Sequence, residues 1–167
     1  MNKIFLRIGF GIFVLLNILS LPPVMNFFGE LSYPGFQSRD INDLQPSFRK
    51  KLTKVIERLK QDRYPVWIGS TWRDQERQQY YVDKGYSETM DSMHRGGGEE
   101  KSTRSSKAAD IYLNIPLIYL PVHAHFYHQL NRIAKEEGLS TGATFKKSNP
   151  IWATFDLGWD PGHVQAH

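Results

Sequence analysis

The chain has 167 residues and no cysteine. No disulfide can brace it, so an exported domain of this composition is held by its apolar core or by a metal bound through histidine and carboxylate side chains. No internal repeat is present, which removes solenoid and array architectures. No RNA- or DNA-binding motif is visible either, and nucleic acid is not expected as a partner. The net charge of +4 and pI of about 9.3 come from basic residues spread along the chain, giving a general attraction to anionic surfaces. Long apolar runs are scarce, with one exception at residues 8–25, IGFGIFVLLNILSLPPVM, which follows Lys3 and Arg7. A basic start and an apolar run form an export signal, near the lower limit of roughly 17–25 residues for a bilayer span. No small-x-small cleavage site follows, so an uncleaved signal anchor is expected ahead of a cleaved signal peptide, with the rest of the chain beyond the membrane.

What remains suffices for one domain with a real core, at 40% hydrophobic and 13% aromatic residues overall. The expected organisation is a signal anchor or signal peptide over 1–29, a polar linker over 30–45 and a domain over 46–167. From Pro46 to Arg63, Phe48, Leu52, Val55, Ile56 and Leu59 recur at helical spacing. Residues 64–69 read as a core strand, and Asp74 as the cap of a helix that runs to Lys84 and stops at Gly85. Residues 107–114 read as a second strand, Pro121 to Glu137 as a helix closed by Gly138. Ile151–Trp159 and His163–Gln165 read as paired strands around a turn at Asp160-Pro-Gly162. The fold class is α+β: one compact domain with a small, mostly antiparallel sheet flanked by helices, a metal site on the sheet and a hydrophobic helix in front.

Three stretches carry chemistry: GSTWRDQERQQYYVDKGYS (69–87), SMHRGGGEEKSTRSSKAAD (92–110) and FDLGWDPGHVQ (155–165). A catalytic zinc takes about three protein ligands and leaves one position for water. His94, Asp110 and His163 supply two imidazoles and a carboxylate from separate elements. Asp160, in the turn before His163, is placed to accept the proton of an attacking water. Arg73 can neutralise an oxyanion or bind a substrate carboxylate. Asp110 lies among apolar neighbours, where its charge needs a partner, metal or arginine. His123, His125 and His128 share a helix but not one side of it, and read as a polar face.

In this order the stretches resemble the family of zinc D-alanyl-D-alanine carboxypeptidases, D-alanyl-D-alanine dipeptidases and phage L-alanyl-D-glutamate endopeptidases. Ser70-Thr-Trp-Arg73 with Gln78 is similar to the family's Ser-x-x-Arg-Ser/Thr-x-x-x-Gln, with Asp74 in place of the usual hydroxyl residue. Ser92-Met-His94 with Gly97, and Ala108-Ala-Asp110, are similar to the two ends of Ser-x-His-x-x-Gly-x-Ala-x-Asp. Asp160-Pro-Gly-His163-Val-Gln165 is similar to the closing acid-x-x-His. The resemblance implies a zinc metallopeptidase that hydrolyses peptidoglycan stem peptides at the cell envelope, on the periplasmic or extracellular side, expected to be a monomer. It implies Zn2+ on His94, Asp110 and His163, catalysis by Asp160 and Arg73, and substrate contacts from Ser92 and Gln78.

The middle motif departs from the family pattern. The usual spacing puts Thr103, a poor zinc ligand, in the first ligand position, whereas fifteen residues separate His94 from Asp110. Either a polar insert is looped out and His94 reaches the metal, or the ligand is lost at Thr103. In the second case the chain is a catalytically inactive envelope protein that binds peptidoglycan or a protein partner. His94 is the expected ligand, because loop closure costs rise only logarithmically with length.

Overall fold

The computed structural model describes residues 33–96, 104–146 and 150–167. The apolar stripe that begins after Pro46 becomes the buried face of helix α1 (Pro46–Gln61), whose first-turn proline has no amide that would go unpaired. A second stripe, with Phe126, Leu130, Ile133 and Ala134 buried, forms helix α3 (Leu120–Glu136), and Gly138 follows it with φ of 68°. Between them lies a shorter helix, α2 (Gln75–Asp83), capped by the Asp74 side chain, which accepts from the Arg77 amide.

Helices α1 and α3 pack on one face of a four-stranded antiparallel sheet. Its order is β2 (Val66–Ser70), β4 (Ala108–Leu113), β6 (Asp160–Ala166), β5 (Leu139–Gly142). Side chains of a strand alternate between faces. Ala109, Ile111 and Leu113 of β4 and Val164 of β6 therefore join the core under the helices. Asp110, Tyr112 and His163 point to the opposite face. A separate two-stranded ribbon pairs β1 (Gln37–Ser38) with β3 (Trp72–Arg73).

Three expectations change. The stretch 30–45 is more than a linker: β1, a 3-10 turn at Ile41–Asp43 capped by Asp40, and the buried Leu44 are built into the domain. Its polar residues work as caps and ribbon partners, roles that hydrophobic periodicity does not reveal. Residues 151–159 form no strand. Pro150–Ala153 is a helical turn, α4, with Trp152 and Phe155 packed on the core and Ile151 exposed. The strand at the chain's end pairs instead with β4 and with β5, an element the sequence did not announce. The apolar segment over 8–25 lies outside the described residues. Among the described residues no helix is long and apolar enough to cross a membrane.

Leu130, fully buried between α3 and the sheet, tests this core. Leu130→Ala is expected to lower the unfolding free energy by about 3 kcal/mol. Ile151→Ala, at an exposed site, is expected to change it by less than about 0.5 kcal/mol. Urea denaturation of the two variants measures both.

Candidate metal centre

Asp110 sits in the middle strand, with Ser70 of β2 opposite it on one side and His163 of β6 on the other. Ser70 reaches that face only because the β2–β4 register slips between Ile68 and Ser70. The extra residue of the bulge is Gly69, and a Cβ there would lie 2.2 Å from the Tyr112 ring. Without the bulge Ser70 would share the core-facing side with Ile68.

His94 arrives from the 3-10 turn Met93–Arg95, capped by the Ser92 hydroxyl, which accepts from the His94 amide. The two ends of the polar insert are drawn together beneath this turn. The Met93 carbonyl accepts from the Lys107 amide and from the Ser106 hydroxyl, both at 3.0 Å. Lys107 leads directly into β4, so residues 16 positions apart meet side chain to side chain. His94 is thus brought beside Asp110; Thr103 lies outside the described residues.

His94 Nε2 is 3.1 Å from Asp110 Oδ1 and 3.2 Å from His163 Nδ1, and His163 Nδ1 is 3.2 Å from the same Oδ1. Among the described residues this is the one cluster whose donor atoms could hold a metal ion. Ligand atoms of a tetrahedral zinc at about 2.1 Å lie roughly 3.4 Å apart, so the triangle has nearly the right size. The outer partners orient the rings. His163 Nε2 lies 2.9 Å from Gln165 Oε1, where a proton on Nε2 would find an acceptor and leave Nδ1 facing the cluster. His94 Nδ1 lies 3.5 Å from the Ser70 hydroxyl, leaving Nε2 for the cluster. Asp110 divides its two oxygens: Oδ1 faces the imidazoles and Oδ2 accepts from Arg73 Nη2. At these distances the imidazole nitrogens and the carboxylate need a proton or a metal cation between them.

Burial and neighbouring charges also set the titration of these groups. Burial, helped by the Arg73 charge, pushes the His94 imidazole down to about 4. Burial also works against a charged His163, but hydrogen bonding and charge from Asp110 outweigh it and raise its pKa. Burial would raise Asp110, yet His94 and Arg73 hold it well below the usual carboxylate range. Asp160, at the start of β6, is pushed up to about 6, first by burial and then by the charge of Asp110. His94, Asp160 and His163 line a cleft of about 490 Å³, together with Arg73, Phe145 and Trp159.

The structure redistributes the other expected residues. Gln78 does not reach the cleft; it is fully buried, and its Nε2 donates to Ser87 Oγ and the Thr89 carbonyl. It anchors the loop that forms one cleft wall. Ser92 does line the cleft, and its hydroxyl caps the His94 turn. Arg73 lines the cleft while paired with Asp110, so the arginine and the imidazoles share one carboxylate. His123 and His128 approach the carbonyls of Pro116 and Phe155, and His125 lies against Tyr64, so these three form no cluster. Ser70 and Gln165 were missed as supports of the histidines. Gln165 had a signal, being two residues beyond His163 on the same strand face; Ser70 had one only as the first residue of the motif that holds Arg73, because its facing depends on the bulge.

If His94 is the ligand, His94→Ala is expected to weaken zinc binding at least 100-fold and Ser70→Ala about tenfold. Thr103→Val is expected to leave it unchanged. Competition with a chromophoric chelator measures all three, and loss of binding in Thr103→Val with retention in His94→Ala would reverse the ligand assignment.

No protein-family model and no curated protein matches the chain. Solved structures do. The Serratia marcescens L-Ala D-Glu endopeptidase ChiX superposes with a TM-score of 0.53 at 18% identity, over 79% of this chain and 89% of that one. DacB from Streptococcus pneumoniae D39 gives 0.46 at 17% identity, over 81% and 68%. The Zn(II) complex of the D,D-pentapeptidase VanY gives 0.42 at 16% identity, over 74% and 72%. Through the first of these likenesses, the chain has the fold of the L-Ala D-Glu endopeptidase ChiX.

Proposed function

We propose that the protein is a zinc-dependent peptidase that hydrolyses peptide bonds in peptidoglycan stem peptides at the cell envelope. The observation that carries the reading is the triangle of His94 Nε2, Asp110 Oδ1 and His163 Nδ1, with sides of 3.1–3.2 Å, beside Asp160 on one cleft. Two imidazoles and one carboxylate, each backed by a hydrogen-bond partner, are a donor set that suits zinc. A fold shared with an L-Ala D-Glu endopeptidase supports the choice of a peptide substrate from the wall. Bound at such a site, zinc acts as a Lewis acid and makes water a nucleophile near neutral pH.

The chain's own residues divide the remaining work. Asp160 takes the proton of the attacking water on its carboxylate and returns it to the leaving amine. Arg73 holds Asp110 with one edge of its guanidinium and faces the cleft, where its charge favours the oxygen that gains negative charge. Ser92 keeps the His94 turn in place at the cleft edge. Phe145, whose ring centroid lies 5.6 Å from that of His163, and Trp159 narrow the opening around the reacting bond and limit water there. The apolar segment over 8–25 would hold the domain at the membrane, on the side where the wall lies.

Purified peptidoglycan and its stem peptides, assayed by mass spectrometry with and without chelator, test the proposal. Cleavage that stops on chelation and returns with zinc is expected. Asp160→Asn is expected to reduce kcat by about 10²–10⁴-fold while zinc content stays near one per chain. An unaltered rate in Asp160→Asn, or cleavage indifferent to chelator, would overturn it.

A further inference from the structure

The guanidinium that grips Asp110 is itself held from outside the cluster. Arg73 Cζ lies 4.7 Å from the centroid of the Tyr81 ring. Arg73 is buried, 9% exposed, and its Nε has no hydrogen-bond partner among the described residues. Among the described residues, hydrogen bonding therefore fixes the head at Nη2, and the face of the Tyr81 ring supplies a further constraint. Tyr81 is fixed in turn. Its hydroxyl donates to Gln37 Oε1 at 3.2 Å, and Gln37 pairs with Arg73 in the β1–β3 ribbon. The rings of Tyr33, Tyr80 and Tyr86 lie within 6.3 Å of Tyr81, centroid to centroid. Arg77 secures Tyr33 from the other side through the carbonyls of Tyr33, Pro34 and Gly35.

We infer that Tyr81 is a positioning residue: it sets the plane of Arg73, and so decides that Asp110 offers Oδ1 alone to the metal. The inference rests on the zinc reading given above. If the guanidinium turned away, Oδ2 would be released, the carboxylate could rotate, and the donor triangle would lose its corner. Because Tyr81 leans on Gln37 and Tyr33, the segment through which the chain enters the domain also supports the metal centre. The ring face is the part that matters, and the hydroxyl is secondary.

A double-mutant cycle in the full chain tests this, with zinc affinity read by chelator competition. Tyr81→Leu, which removes the ring face, is expected to weaken zinc binding about tenfold. Tyr81→Phe, which keeps it, is expected to stay within about twofold of the wild type. Arg73→Lys lacks the planar head, so Tyr81→Leu is expected to add less than about a twofold loss in that background. Equal losses from Tyr81→Leu in both backgrounds, or a loss in Tyr81→Phe as large as in Tyr81→Leu, would overturn the inference. Circular dichroism verifies the fold, and Tyr81→Met carries the same cycle where the leucine variant does not fold. A wild type that binds no zinc overturns the metal reading itself, an outcome separate from zinc binding that is indifferent to Tyr81.

Discussion

A carboxylate buried at the centre of a sheet has to be neutralised, and much of the structure around Asp110 follows from that need. An isolated buried charge costs several kcal/mol even after relaxation. Here Arg73 takes one oxygen and two imidazoles converge on the other. Each of those partners depends on a different element. Arg73 stands on the ribbon strand β3, His163 is the register partner of Asp110 on β6, and His94 descends from a turn outside the sheet. A slip of one residue in β6 would send His163 into the core and bring Val164 to the carboxylate. The register of the sheet is thus also the geometry of the candidate metal centre.

The polar insert shows how little a long loop disturbs such a centre when its base is closed. The Met93 carbonyl takes two hydrogen bonds from Ser106 and Lys107, on the far side of the insert. Ser106 is tied further, by a bridge to Leu44 and a bond from the Gln45 amide to its carbonyl. These bonds determine where His94 and Asp110 stand relative to each other, and the insert's length contributes only a slowly growing closure entropy. Gln78 does comparable work on the opposite wall. A polar side chain in a helix that otherwise reads as solvent-facing is buried so that residues 87–89 stay against the cleft.

Both main helices were legible to within a residue or two, because an apolar stripe beside charged residues has one stable use in a domain. Strands β2 and β4 were legible from their apolar runs. The cluster His94, Asp110 and His163 was legible too, because two imidazoles and a carboxylate at the ends of recognisable motifs have few other reasons to be there. What the chain order could not convey was pairing. Residues 151–159 are apolar enough for a strand, and only the packing of Trp152 and Phe155 shows that the segment turns as a helix. The entry segment looked like a linker because its contribution lies in backbone pairing and caps, which leave no hydrophobic period.

The residue types that can hold a metal, and the helices that cover the sheet, were therefore determined by the sequence alone, since both depend on local chemistry and local periodicity. Which oxygen of Asp110 faces the histidines, which serine stands behind His94 and which glutamine orients His163 were decided by the tertiary structure. Those choices depend on strand register, on a bulge at Gly69 and on an arginine pinned against a tyrosine ring. Apart from Gln165, two residues beyond His163 on one strand, they bring together residues that no spacing along the chain relates.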